Sequence, residues 1–212
     1  VEIGEEKCPV DKNDFSFTRN GEKILFDFAY ITIHGVPGEN GLLQGYLDMM
    51  GVPYGCCNVL ASALTFDKHT CNTYLKSYGV NVADSVMLIR GMAYDVNEII
   101  NEVGLPCFVK PNAEGSSFGV TKVKEAAQLE DALKKAFALC REVLIETFID
   151  GTELTCGVVK AGDMDITMPI AEVVPKNEFF DFEAKYDPTK SDEIIPARIS
   201  PELTNRIKTL SS

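Results

Sequence analysis

Residues 34–45 narrow the possible folds more than any other stretch: His34-Gly35-Val36-Pro37-Gly38-Glu39-Asn40-Gly41-Leu42-Leu43-Gln44-Gly45. They follow an apolar run, residues 24–32, that reads as a strand. They precede Leu43, Tyr46, Leu47 and Met50, whose spacing predicts a short helix, and Val52-Pro53-Tyr54 then starts another strand. Strand, glycine loop, helix and strand in that order is the grammar of an open α/β sheet. Ligands in such sheets bind at the carboxyl ends of strands. His34 opens the loop at such an end, either facing a ligand or serving as a turn residue satisfied by backbone.

Further along, residues 61–78 read as a helix stopped by Gly79, and residues 106–110 as a short apolar strand. A loop over 111–119 and a strand over 120–123 follow. Residues 126–140 carry the clearest helical period, with Leu129, Leu133, Ala136, Phe137 and Cys140 on one face. Strands are expected over 143–147, 153–159 and 166–174, the first two joined through Ile149-Asp150-Gly151. The stretch 176–198 is polar and aromatic without a period and reads as a long loop, and 201–210 begin a helix. No internal repeat is present.

The loop after Lys110 has the strongest chemistry of its own. A lysine closes a strand, and Glu114-Gly115-Ser116-Ser117-Phe118-Gly119 follows. Backbone N–H groups and hydroxyls in such a loop can cradle phosphate oxygens while the lysine supplies charge. It is no Walker A loop, because the G-K-[ST] ending is missing and a strand follows where a helix should. An ordinary hairpin loop is the other reading. Glu146 and Glu153 flank a turn, either as acceptors for an adenine amino group and ribose hydroxyls or as exposed acids. Lys68, taken alone, is a surface lysine.

Acidic residues number 32 against 20 basic ones, for a net charge of -12. That balance argues against nucleic acid and anionic membranes as partners. No apolar run approaches the ~18 residues of a spanning helix. Residues 1–12 are acidic and lack the apolar core of a signal peptide. The 7 cysteines include no C-x-x-C pair and are expected as reduced thiols of a cytoplasmic protein. With 2 histidines, any divalent ion would need oxygen ligands.

Taken together, these pieces resemble the D-alanine–D-alanine ligase family of the ATP-grasp superfamily. Residues 34–45 match the signature H-G-x-x-G-E-[DN]-G-x-x-Q-G without a gap. The order continues with Ala61-Ser62-Ala63-Leu64 and Asp67-Lys68, Val109-Lys110-Pro111, Glu114 to Ser117, Leu144-Ile145-Glu146 and Gly151-Thr152-Glu153. Phe180-Asp181 and Glu183-Ala184-Lys185-Tyr186 complete it. The resemblance implies a partial ATP-grasp fold, α/β and α+β. Residues 1–57 would be the remainder of an N-terminal α/β domain and 58–146 the central lid. Residues 147–212 would form the hinge, an ω-loop and the start of the C-terminal domain.

The same resemblance implies roles. Lys68 and Lys110 would contact the ATP phosphates, and Glu114, Ser116 and Ser117 lie on the loop that closes over the transferring phosphate. Glu146 would meet the adenine amino group, Thr147, Phe148 and Ile149 would line the adenine slot, and Glu153 would hold the ribose. Thr147 and Phe148 stand where many members have a basic residue and tryptophan. His34 would lie near the first D-alanine. Lys185 and Tyr186 lie on the ω-loop, and Tyr186, the partner of Ser116 in the family, favours D-alanine as second substrate. The expected activity joins two D-alanines through a D-alanyl phosphate for peptidoglycan precursors, in a cytoplasmic homodimer using ATP and Mg2+ or Mn2+. The metal ligands are expected in R-x-D and E-x-N motifs that this stretch does not carry. The chain resembles the middle of a ligase cut at both ends and is expected to be inactive alone. D-alanine–D-serine or D-alanine–D-lactate ligation, or nucleotide binding without turnover, are the alternatives.

Overall fold

The computed structural model describes residues 1–176, 187 and 189–212. Short antiparallel pieces come first: β1 (Glu2–Ile3) with β2 (Glu6–Lys7), then β3 (Val10–Asp11), β4 (Ser16–Arg19) and β5 (Glu22–Ile24) in one sheet. Phe26 closes on Phe15 and Phe17, with ring centroids 5.1 and 5.3 Å apart. The strand expected over 24–32 is therefore broken, with its first part in β5 and its second in β6 (Ala29–Tyr30). β6 pairs in parallel with β7 (Tyr54–Gly55), and α1 (Leu42–Met50) lies between them in sequence. This is the strand–loop–helix–strand order that the glycine loop predicts.

The helix expected over 61–78 is two helices, α2 (Val59–Phe66) and α3 (Lys68–Ser77). Asp67 breaks it, with an extended backbone and a carboxylate that accepts from the Thr70 N–H at 2.7 Å. A short acidic side chain satisfies the orphan N–H groups of a new first turn better than it serves a helix interior.

The centre of the fold is a four-stranded antiparallel sheet. It contains β8 (Ser85–Ile89), β9 (Cys107–Pro111), β10 (Thr121–Val123) and β11 (Glu142–Thr147), in the order β10-β9-β11-β8. α4 (Val96–Val103) and α5 (Leu129–Leu139) cover one face. Strand side chains alternate between faces. Cys107, Val109, Val143 and Ile145 thus enter the helix-side core with Ile99, Val103, Leu129 and Leu133. Each fully buried leucine there contributes roughly 1.5–3 kcal/mol relative to exposure. Phe108, Lys110, Leu144 and Glu146 are sent to the opposite face by the same alternation.

Beyond β11, β12 (Glu153–Thr155), β15 (Ala171–Pro175) and β16 (Ser191–Ile194) form a second antiparallel sheet. Between them β13 (Val158–Ala161) and β14 (Met164–Thr167) make a hairpin. The expected strands 153–159 and 166–174 are each split in two, and the stretch read as loop contains β16. α6 (Pro201–Ser211) follows, its Ser200 cap accepting from the Leu203 N–H.

Candidate active site

The site is built on the sheet face that the helices α4 and α5 leave uncovered. The β9–β11 register sets Phe108 opposite Glu146 and Lys110 opposite Leu144. Lys110 and Glu146 are therefore diagonal neighbours, a separation long side chains bridge, and they form a largely buried ion pair. The other oxygen of Glu146 accepts from Asn72 Nδ2 at 2.9 Å. Asn72 lies one turn beyond Lys68 on α3, so one face of that helix delivers both residues.

Lys68 extends its ammonium to two backbone carbonyls, Glu114 at 2.6 Å and Asn112 at 3.1 Å. Burial holds its pKa below the ordinary 10.5, and the positive charge of Lys110 adds to this, with Glu146 opposing. Lys110 is thus paired with Glu146, while Lys68, close enough to feel both charges, is held by backbone carbonyls and has no carboxylate of its own in hydrogen-bond contact.

Past Asn112 the chain enters the serine loop. Ser116 and Ser117 have φ of 54° and 56°. For non-glycine residues the left-handed region costs roughly 1–2 kcal/mol each. Strain of this kind collects at ligand clamps. The loop reaches the histidine loop, since a Cβ on Gly115 would sit 3.4 Å from Glu39 Oε2 and 3.9 Å from Gly35 Cα. Glu39 in turn folds its own loop by accepting from the Gly35 N–H at 2.6 Å. His34 is exposed and borders a cavity of about 310 Å³ with Gly38, Glu39, Gln44 and Cys56. Gln44, buried there, donates to Gly38 O at 2.6 Å, and its Oε1 has no partner among the described residues.

On the other side of Lys110 lies a cavity of about 510 Å³ between the two sheets, walled by Phe108, Phe148, Ile149, Val173 and Val174, with Glu153 and Glu172 among its lining. Phe108 and Lys110 share a face of β9, so the aromatic wall and the cation are two residues, about 6.8 Å, apart. Three features of the site and its surroundings were not read from the sequence. Lys122 stands over the Phe148 ring, 3.9 Å from its centroid. Glu172 is held by the guanidinium and N–H of Arg198 at 2.6, 3.0 and 3.0 Å. These bonds keep its carboxyl at about 2. Asn112 is wholly buried where β9 meets α3.

The structure therefore brings Lys68, Lys110, Glu114 and Glu146 together, and sets Phe148, Ile149 and Glu153 on the larger cavity. It turns the Thr147 hydroxyl away, donating to Val103 O at 2.8 Å. Lys185 and Tyr186 lie outside the described residues. Among the described residues no group of three or more His, Cys, Asp or Glu is arranged to hold a metal ion.

Comparison with known proteins decides the family. The family model described as "D-ala D-ala ligase C-terminus" matches residues 74–212. The chain belongs to the D-alanine–D-alanine ligase family. A D-alanine–D-alanine ligase of Bacteroides fragilis is 57% identical over 206 residues, which are 97% of this chain and 63% of that protein. One from Porphyromonas gingivalis is 52% identical over 100% of this chain and 64% of its own length. The chain thus spans less than two thirds of the curated relatives it matches. Among solved structures, the VanG D-Ala:D-Ser ligase of Enterococcus faecalis aligns with a TM-score of 0.78 at 34% identity, covering 96% of this chain and 61% of its own. A Bacillus anthracis D-alanine–D-alanine ligase complexed with ATP aligns with a TM-score of 0.71 at 30% identity, covering 87% and 57%. The architecture is accordingly the ATP-grasp fold of these ligases, present in part.

Proposed function

We propose that the complete protein joins two D-alanines, using ATP, through a D-alanyl phosphate. The observation that carries this reading is the pair of lysines beside the serine loop, Lys110 held by Glu146 and Lys68 held by the Asn112 and Glu114 carbonyls, with Phe108 of the larger cavity on the same face of β9 as Lys110. A volume of about 510 Å³ lies within the roughly 300–1,000 Å³ of pockets that enclose ligands of nucleotide size. Phe108 and Phe148, tilted 55° to one another, offer aromatic surface for the base, and Glu153 offers acceptors for ribose hydroxyls. Lys110 and Lys68 stand where the phosphates would run, and fixed charge in a water-poor site stabilises the charge that develops in transfer.

Lys68 also links the nucleotide to the loop. Its ammonium holds the Asn112 and Glu114 carbonyls and keeps a third N–H for a phosphate oxygen. Ser116 and Ser117 then lie over the transferring group, and Gly115 against Glu39 closes that loop on the His34 cavity, our pocket for the first D-alanine. Closure of this kind excludes water from a hydrolysable acyl phosphate. Lys185 and Tyr186 belong to the same proposal by family resemblance. Mg2+ belongs to the same proposal by family resemblance. We place the protein in the cytoplasm as a homodimer on the family resemblance alone, which size-exclusion chromatography tests.

The competing acceptor is D-serine, because the VanG relative ligates D-Ala to D-Ser. The identity of 57% to D-alanine–D-alanine ligases, against 34% to VanG, favours D-alanine. The test is phosphate release from ATP by the product of the complete reading frame, with D-alanine alone and with D-serine or D-lactate added. Release with D-alanine alone supports the proposal. Release that requires another acceptor moves the specificity, and ATP binding without release leaves a nucleotide-binding module.

A further inference from the structure

Lys68 is useful only if its ammonium is held in place, and a lysine has a flexible four-carbon stem. One residue fixes both ends of that stem. Asn112, the first residue after β9, accepts at Oδ1 from the His69 N–H at 2.9 Å. Its Nδ2 donates to Asp67 Oδ2 at 2.7 Å and to Glu142 Oε2 at 3.2 Å. Its carbonyl accepts from the Lys68 N–H at 3.2 Å and from the Lys68 ammonium at 3.1 Å. Its own N–H donates to Glu142 O at 2.9 Å. The consecutive residues Asp67, Lys68 and His69 all meet this one wholly buried asparagine.

We propose that Asn112 is a positioning residue for Lys68. It sets the first turn of α3 against the end of β9 and presents the lysine to the nucleotide phosphates. The inference rests on the reading of Lys68 as a phosphate contact. Its physical basis is the donor count. An amide has two N–H donors and here they reach two carboxylates, while its oxygen takes a helix N–H. No aliphatic side chain reproduces that set, and a carboxylate would oppose Asp67 and Glu142. Asn112 lies outside the helix-side core cluster, so its loss acts at the α3–β9 junction rather than on the packing of α4 and α5.

The test is made in the product of the complete reading frame. Calorimetric titration with ATP gives the affinity, and phosphate release gives separate KM values for ATP and D-alanine. For Asn112→Ala, ATP affinity falls about ten-fold while the D-alanine KM stays within about two-fold. Unchanged ATP affinity, or equal losses for both substrates, overturns the proposal. If Asn112→Ala does not fold, Asn112→Asp and Asn112→Asp/Glu142→Gln decide. The single variant faces two carboxylates and loses about ten-fold or more in ATP affinity. The double variant reverses one hydrogen bond and recovers to within about three-fold of wild type. A double variant no better than the single one overturns the proposal. ATP binding is read without turnover. A wild type that binds ATP yet releases no phosphate with D-alanine therefore sinks the ligase reading, and the affinity ratio still decides on Asn112.

Discussion

Replacing Glu146 with glutamine tests whether the buried carboxylate holds Lys110. The substitution keeps the volume, and the amide oxygen can still accept from Asn72. What is lost is the ion pair to Lys110, whose partners are 21% and 10% exposed at the side chain. Removing one partner of a fully buried pair costs about 3–5 kcal/mol. Water reaches Lys110 in part, so the lower range of hydrogen bonds to charged groups applies, about 2–3 kcal/mol. At about 2–4 °C per kcal/mol for a chain of this size, the midpoint of thermal unfolding falls by about 4–12 °C. Saturating ATP narrows that gap, because phosphate oxygens supply the missing negative charge. Lys110→Met/Glu146→Gln removes both charges and returns to within about 1 kcal/mol of wild type. Differential scanning calorimetry of the three proteins, with and without ATP, reads all of this. An unchanged midpoint for Glu146→Gln refutes the reasoning, as does a double variant as unstable as the single one.

Other consequences are equally open to measurement. Lys68 titrates below its ordinary 10.5, so its charged form is disfavoured in the fold and the penalty is relieved as pH rises through the lowered value. Bound phosphate reverses this, so ATP binding takes up protons in the alkaline range. Titration calorimetry in buffers of different ionisation enthalpy detects the uptake, and its absence at every alkaline pH contradicts the placement of Lys68. Glu172 is depressed to about 2 from 4.5. Its stabilising bond to Arg198 is complete above the ordinary value and fades as pH falls toward 2. Glu172→Gln should lower the unfolding midpoint at neutral pH and match wild type near the acid limit, whereas a pH-independent gap argues against the pair. At Gly41 the φ is 87° and a Cβ would lie 2.8 Å from Val59 O. Gly41→Ala then destabilises by about 2–3 kcal/mol in urea unfolding, and a neutral result removes the constraint at the start of α1.

What could be read without coordinates was whatever repeats locally. The period of Leu129, Leu133 and Ala136 marks α5, and the glycine spacing after His34 marks the loop before α1. Asp67 was legible in principle, because an aspartate three residues before Thr70 is a cap signal inside an apparent helix. α4 carried a signal of the same kind, with Asp95 capping Asn97 and Glu98 and with Ile99 and Val103 one turn apart. Lys68, Lys110, Glu146 and Glu153 are ordinary surface residue types when taken singly, and only the joint match to a family raised them. Asn112, Lys122 and Arg198 stayed hidden for a different reason. Their partners lie 45, 26 and 26 positions away, in the bonds Asn112–Asp67, Lys122–Phe148 and Arg198–Glu172. Only tertiary structure supplies such pairs.

The alternation along β9 ties chemistry to folding. Shifting its pairing with β11 by one residue would send Lys110 into the greasy side beneath α4 and α5 and would push Val109 toward the face proposed to bind the nucleotide. A buried ammonium without a counter-ion is among the costliest mistakes a chain can make. The lysine proposed to contact phosphate therefore also marks the correct alignment of the sheet. Substitutions that neutralise Lys110 should then loosen strand alignment as well as nucleotide binding, and hydrogen exchange along β9 and β11 would register the first effect in the absence of ATP.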